Sequence, residues 1–137
     1  MTADVQTWLN KAEEDWLSAE WLLQEDSPVV TPALFHLQQC AEKLLKAYLI
    51  KCSVEFERKH DLGYLLQLTD EDALRLHEDL LDELTPFAVE LRYPGDLPVI
   101  SKGDARSLLA RVGEFRVTLL RTIEKGRSEE PDDSGTA

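Results

Sequence analysis

Four polar side chains on a single predicted helix have the types and spacing to bind an anionic ligand together. They lie in the segment FHLQQCAEKLLKAYLI, residues 35–50, and are His36, Gln39, Lys43 and Lys46. At 100° per residue they fall within about 80° of one another on the helix surface. The alternative is that this polar stripe is the solvated face of an ordinary bundle helix, which carries polar residues opposite its core. Glu42 and Lys46 would then form a stabilising i,i+4 pair on an exposed helix.

Other chemically capable residues lie elsewhere in the chain. Asp15 sits beside the apolar flank of the first predicted helix, where a carboxylate is expected to be partly buried and therefore paired. His60 and Asp61 begin a short helix, whose first N–H groups favour anions. Arg92 belongs to the RYP segment that ends a longer helix. His77 lies on an apolar stripe, which indicates a core histidine and not a ligand.

Those elements are expected to be helical throughout. Apolar residues repeat at intervals of three and four, which predicts an all-α fold, an antiparallel up-and-down bundle of four long helices plus one short helix. Pro86 interrupts the fourth predicted helix, where a kink is expected, a new helix capped by Thr85 being the alternative. The predicted domain covers residues 1–126, and an acidic tail, 127–137, is predicted to be disordered. The helices are predicted over residues 4–25, 31–52, 62–68, 70–91 and 102–125.

Composition limits the class of protein. The 137 residues, 43% of them apolar, fit one domain with one core. The net charge of −12 repels phosphate at long range, which argues against general binding of DNA or RNA but still allows a local basic pocket. Cys40 and Cys52 are about 18 Å apart along one predicted helix, too far for a disulfide. Free thiols, the absence of a signal sequence and the absence of a membrane-spanning apolar run predict a cytoplasmic protein with no membrane partner.

Leu17 and Trp21 lie one turn apart on the first predicted helix, away from its apolar seam. One interpretation is a second packing surface within the bundle. The other is a subunit interface, where aromatic residues are enriched.

Motifs for metals and cofactors are missing. The sequence contains no HExxH, no CxxC, no P-loop and no dinucleotide-binding glycine pattern. No Glu is followed by a His three residues later, as a di-iron bundle would require. No metal site and no cofactor are therefore expected.

Five short motifs occur in a fixed order along the chain. They are A-x-x-D-x-x-x-A from Ala12, F-H-x-x-Q-x-A-E-K-x-L-K-A-Y-L from Phe35, H-D-L from His60, T-P-x-x-V-E-x-R-Y-P from Thr85 and S-x-x-D-A-R from Ser101. Together they resemble the HEPN domain (higher eukaryotes and prokaryotes nucleotide-binding). The resemblance covers about residues 5–125.

This resemblance implies an all-α bundle, commonly a homodimer, that often pairs with a small nucleotidyltransferase, in some branches as toxin and antitoxin. Many toxin-type members cut RNA with an Arg followed, after four to six intervening residues, by a His. That motif is absent here, because Leu97, Pro98 and Val99 occupy those positions after Arg92. RNA cleavage needs a proton acceptor and charge stabilisation, which His60 and Arg92 could supply only if the fold brings them together.

The resemblance and the residues leave three hypotheses. The first is a non-catalytic module that binds a nucleotidyltransferase and a nucleotide, as one half of a toxin–antitoxin-like pair. The second is a ribonuclease that uses His60 with Arg92 or His36. The third is a homodimeric scaffold whose polar stripe is solvated. In the first, Asp15 would orient a cation, Leu17 and Trp21 would serve an interface, and the ligand contacts would come from His36, Gln39, Lys43, Lys46, His60 and Arg92.

Overall fold

A computed structural model of the protein describes residues 3–24, 26, 29–88, 95 and 98–129. Within these ranges all regular structure is helical, which confirms the predicted all-α class. None of the helices in the described part of the chain has the length and apolar character needed to cross a membrane. In chain order the elements are α1 (Ala3–Leu22), α2 (Thr31–Lys51), α3 (Leu62–Thr69), α4 (Asp72–Arg75), α5 (Glu78–Leu84), a 3-10 turn (Thr85–Phe87) and α6 (Lys102–Glu129).

Helix α2 is the centre of the bundle. It packs along α1 and also contacts α3, α5 and α6, so side chains on most of its circumference are buried. Side chains join α1 to α6: Arg116 forms an ion pair with Glu13, and the Trp16 indole lies against Gly113. A Cβ at position 113 would be 3.0 Å from the Trp16 ring, so glycine permits this close approach. The apolar repeats of the long helices form one shared core.

The long helix predicted over residues 70–91 is not continuous. Asp70 adopts a left-handed conformation with φ of 48°, α4 begins after it, and the chain turns again at His77 before α5. The apolar repeat persists because both short helices still direct their leucines into the core; Leu74, Leu81 and Leu84 are fully buried. Such a repeat indicates which residues are buried. It does not indicate whether the helical hydrogen bonds continue without a break between them. Residues 89–91 of the predicted helix lie outside the described residues.

Pro86 falls in a 3-10 turn at the end of α5 and not at a kink within a longer helix. A proline has no N–H to donate, and its ring clashes with the carbonyl four residues earlier in an α-helix. The Thr85 hydroxyl turns back to donate to the Leu81 carbonyl at 3.0 Å and does not cap a new helix.

His77 is half-buried, as expected for a core histidine. Its ring meets Phe115 edge to face, with ring centroids 5.4 Å apart. Burial lowers the pKa of His77, and the nearby Glu114 opposes this only in part. The ring is therefore neutral at pH 7 and serves packing.

Side chains cap the starts of α3 and α6, whereas α2 begins without a side-chain cap. Asp61 accepts from the Tyr64 N–H at 3.2 Å, and Ser101 accepts from the Asp104 N–H at 3.0 Å. Thr31 is the first residue of α2 and not its cap, because Val30 holds the cap position without a side-chain hydrogen bond. At the other ends, α1 stops at Leu22, and α6 continues through Gly126 to Glu129.

Candidate functional site

The first part of the site is a buried carboxylate, Asp15, that α1 inserts beside α2. Its two oxygens are shared between two members of the polar stripe. Oδ1 is 2.8 Å from His36 Nδ1, and Oδ2 accepts from Lys43 Nζ at 2.5 Å. His36 and Lys43 are two turns apart on α2, so a single side chain of α1 is able to meet both. Asp15 is therefore buried and paired with a cation, Lys43.

The second part is centred on Glu42, which is 3% exposed. Its oxygens accept from Lys46 Nζ at 3.0 Å, from Gln38 Nε2 at 3.1 Å and from His60 Nδ1 at 2.9 Å. Gln38 Nε2 also approaches the His60 carbonyl at 3.4 Å. The segment between α2 and α3 is thus held to α2 through both the ring and the backbone of His60.

Lys46 is covered by aromatic rings as well as paired. Its Nζ lies 5.5 Å from the ring centroid of Trp8 on α1 and 5.8 Å from that of Phe56 in the segment before α3. A cation this close to two ring faces gains electrostatic attraction when water is excluded. Lys46 is only 7% exposed, so water is largely excluded here.

The polar stripe is therefore not a solvated helix face, and the Glu42–Lys46 pair is not on an exposed helix. Both interpretations fail for the same reason: α1 and the segment before α3 cover the side of α2 that a helical wheel leaves open. Gln39, the remaining member of the stripe, donates to Gln38 at 2.7 Å and so joins the Glu42 network.

The charges within these networks balance. Two carboxylates, Asp15 and Glu42, each hold one ammonium group, that of Lys43 and of Lys46 respectively. Burial raises the pKa of Glu42, but the hydrogen bonds from Lys46, His60 and Gln38 together outweigh it and hold the pKa below its usual value. Glu42 is thus ionised at neutral pH, and both lysine charges are already committed within the fold.

The depressed pKa of Glu42 predicts how stability depends on pH. Its stabilising contribution is fully present above the ordinary pKa of 4.5 and is lost as the pH falls through the lower folded-state pKa. The difference in unfolding free energy between the wild type and Glu42→Gln should therefore narrow on acidification below 4.5, by at most about 1.4 kcal/mol per pH unit. Urea denaturation of both proteins between neutral and acid pH measures it. A difference that stays constant across that range would contradict the pairing.

The same contacts fix the protonation pattern of two histidines. A carboxylate only accepts hydrogen bonds, so Nδ1 of His36 and of His60 must carry the proton that each donates. No described contact involves Nε2 of either ring. The His60 side chain is 61% exposed and that of His36 is 28% exposed, so each ring retains an Nε2 that a ligand can approach.

Glu42 and Gln38 were not predicted as site residues. The sequence did contain a signal of their burial, because both lie on the same face of α2 as three core leucines, at intervals of three and four residues. Polar residues on such a stripe must be buried and hydrogen-bonded. The stripe comprises Leu34, Gln38, Glu42, Leu45 and Leu49, all buried.

The remaining predicted site residues lie apart from these networks. Leu17 and Trp21 point outward from α1, with 54% and 72% of their surfaces exposed, so they do not form a second packing surface within the chain. Arg92 lies outside the described residues, as do Tyr93 and Pro94. Cys40 and Cys52 are both free, as predicted, and burial together with the charge of Asp15 raises the pKa of Cys40 to about 12.

The geometry offers no set of ligands for a metal in the part of the chain that is described, where no three His, Cys, Asp or Glu side chains converge. What it offers chemically is two carboxylate-bound imidazoles with an open Nε2. His36 stands on α2 and His60 is held against that helix by Glu42, while Lys43 and Lys46 of α2 are already paired with carboxylates.

Comparisons with known proteins agree with the fold. The model of the HEPN domain matches residues 5–123. The crystal structure of an archaeal HEPN homologue, 23% identical, is similar with a TM-score of 0.69 over 87% of this chain and 97% of that one. A Thermus thermophilus protein of known crystal structure, 20% identical, gives a TM-score of 0.72 over 88% of this chain and 98% of that one. No curated protein matches the chain.

Proposed function

Because the chain belongs to the HEPN domain family, we propose that it is a non-catalytic binding module that docks a partner protein on the outer face of α1. The resemblance implies a small nucleotidyltransferase as that partner, in a toxin–antitoxin-like pair. The buried networks around Asp15 and Glu42 hold α1 and the segment before α3 in place. They also present His36 and His60 to a nucleotide.

The observation that carries the docking claim is the exposure of Leu17 and Trp21. They are one turn apart on a helix that is held by the Asp15 contacts, by the Glu13–Arg116 ion pair and by a core seam, so the backbone that carries them is fixed. Rigid exposed aromatics act as anchors in protein interfaces, where truncating one often costs 2 kcal/mol or more of binding free energy, on the order of a 30-fold change in affinity. Leu76 is also exposed, but it stands alone at the turn between α4 and α5.

Nucleotide binding is supported by the imidazoles and not by the lysine charges. The lysines would have to leave buried carboxylates to contact phosphate, which would cost several kcal/mol. In the proposal, Lys43 and Lys46 therefore act through Asp15 and Glu42, and Nε2 of His36 and of His60 contacts the ligand. Gln39 and Arg92 complete the proposed ligand-binding set.

The partner is tested by purifying the tagged protein from its source cells and identifying bound proteins by mass spectrometry. A stoichiometric nucleotidyltransferase is the expected result. Recovery of the chain alone, at concentrations above the micromolar range and at low salt, would contradict the proposal.

One observation favours a second candidate, the ribonuclease. An exposed imidazole whose Nδ1–H is held by a buried carboxylate is the arrangement used by general acid–base catalysts, and Glu42–His60 has it. RNA cleavage that is lost in both His60→Ala and Arg92→Ala would establish this candidate. Inactivity of the purified protein against structured and single-stranded RNAs would remove it.

A further inference from the structure

A cavity of about 360 Å³ lies between α3 and the two short helices that follow it. It is lined by Leu66 and Gln67 of α3, Arg75 of α4 and Glu78 of α5. None of these residues belongs to the docking face of α1 or to the networks of Asp15 and Glu42. The volume is at the lower end of the range of small-molecule pockets, roughly 300–1,000 Å³, so the cavity has the size for one small metabolite.

Arg75 supplies a fixed cationic group to this cavity. Its Nη2 donates to Asp70 Oδ1 at 3.0 Å, and its Nη1 lies 3.5 Å from Asp72 Oδ1. A guanidinium has five N–H donors, so most of them remain for a ligand. Both carboxylates are exposed to water, which screens their charges and leaves the guanidinium attractive to an anion. The planar group is suited to a carboxylate, which it binds through two parallel hydrogen bonds.

Glu78 supplies the opposite charge, and the break between α4 and α5 keeps it apart from Arg75. Side chains three residues apart meet on the surface of one continuous helix. Here the chain turns at His77 between the two residues, and in the described part of the molecule Glu78 forms no ion pair. Gln67 likewise forms no side-chain hydrogen bond with any described residue. The cavity therefore combines an unpaired carboxylate and an unpaired amide with a guanidinium that retains free donors.

These groups together favour a ligand that carries both a carboxylate and an ammonium group. A ligand with only one of the two charges would leave Arg75 or Glu78 without a partner. The buried Leu66 gives the cavity an apolar wall for an aliphatic group. We propose that the cavity binds a free aliphatic amino acid, with its carboxylate on Arg75, its ammonium group on Glu78 and its side chain against Leu66. This proposal does not depend on partner docking at α1 or on nucleotide binding.

Titration of the full chain with L-leucine, followed by ¹H–¹⁵N NMR, tests the site. The backbone amides of the four lining residues should shift together and give a dissociation constant of about 1 mM or lower. Two analogues serve as ligand controls: 4-methylpentanoate lacks the ammonium group, and 3-methylbutylamine lacks the carboxylate. Each should bind at least about tenfold more weakly, because one of the two charge-assisted contacts is lost.

Charge-neutralising variants test the two ionic contacts, since Arg75→Gln and Glu78→Gln should each weaken L-leucine binding at least about tenfold. Arg106→Gln and Glu14→Gln are the matched controls, because they remove the same charges at exposed positions outside the cavity, and should bind like the wild type. Glu78→Gln removes no ion pair within the described fold, so it keeps the test valid if Arg75→Gln unfolds the chain. Unshifted amides at about 20 mM L-leucine would overturn the proposal. So would an analogue that binds as tightly as L-leucine, or a Glu78→Gln variant with unchanged affinity.

Discussion

Replacing Lys46 with Met is expected to lower the free energy of unfolding by about 3 kcal/mol. The change keeps most of the apolar stem but removes the ammonium group from Glu42, which is buried and ionised. An unpaired buried carboxylate is strongly unfavourable, although Gln38 and His60 still donate to it and keep the expected loss at the lower end of the range for broken buried pairs. Urea denaturation at pH 7 measures the effect.

Two controls distinguish the effect of breaking the buried pair on stability from the effect of losing any one charge. Lys11→Met breaks an exposed pair with Glu14 and should change stability by less than about 0.5 kcal/mol. Adding Glu42→Gln to Lys46→Met removes the uncompensated charge and should recover part of the loss. If Lys46→Met were as mild as Lys11→Met, the Glu42 network would not be a stabilising feature of this fold.

Replacing Asp15 with Leu is expected to cost about 2 kcal/mol, because two charge-assisted hydrogen bonds between α1 and α2 are lost at once. The loss is smaller than at Lys46 because the freed His36 and Lys43 are partly exposed and can turn toward water. Without the carboxylate, nothing holds the proton of the neutral His36 ring on Nδ1. ¹⁵N NMR of the imidazole should therefore show a smaller share of the Nδ1–H tautomer.

Asp15→Asn is the matched variant for this test. Its amide oxygen can still accept from His36, so the Nδ1–H tautomer should be retained while part of the stability is lost with the charge. If the His36 tautomer were the same in the wild type and in Asp15→Leu, the Asp15–His36 contact would not exist in solution.

The long helices and the members of the polar stripe could be predicted from the sequence because periodicity and spacing are local properties. Ala12 and Ala19 of α1 follow one helical repeat, as do Leu108, Val112 and Phe115 of α6, and each is buried as the repeat indicates. The break at His77 could not be predicted in the same way. There the repeat of leucines continues across a turn, and only the path of the backbone distinguishes one long helix from two short ones.

The carboxylates that pair with the polar stripe of α2 could be predicted only in part. Asp15 was expected to pair because a carboxylate on an apolar flank must be compensated. The alternative interpretation of the sequence places Glu42 on a solvated face, because a helical wheel of α2 contains no information about how many neighbours surround it. Once α1, α3, α5 and α6 are placed around α2, almost no face of that helix remains open.

The structure decides between the two interpretations that the sequence allows for Leu17 and Trp21, which are internal packing and an interface. Internal packing would bury them, and they are exposed. That exposure is what makes the outer face of α1 the proposed docking surface, separate from the buried networks on its other side.

The most direct test of the account measures the affinity of the proposed nucleotidyltransferase partner for the wild type, for Trp21→Glu and for Leu76→Glu by isothermal titration calorimetry. Leu76 is the matched control, because it is also an exposed apolar residue and lies away from α1. The account predicts that Trp21→Glu weakens binding at least about 30-fold, while Leu76→Glu binds like the wild type. Equal affinities for all three proteins would contradict docking on α1.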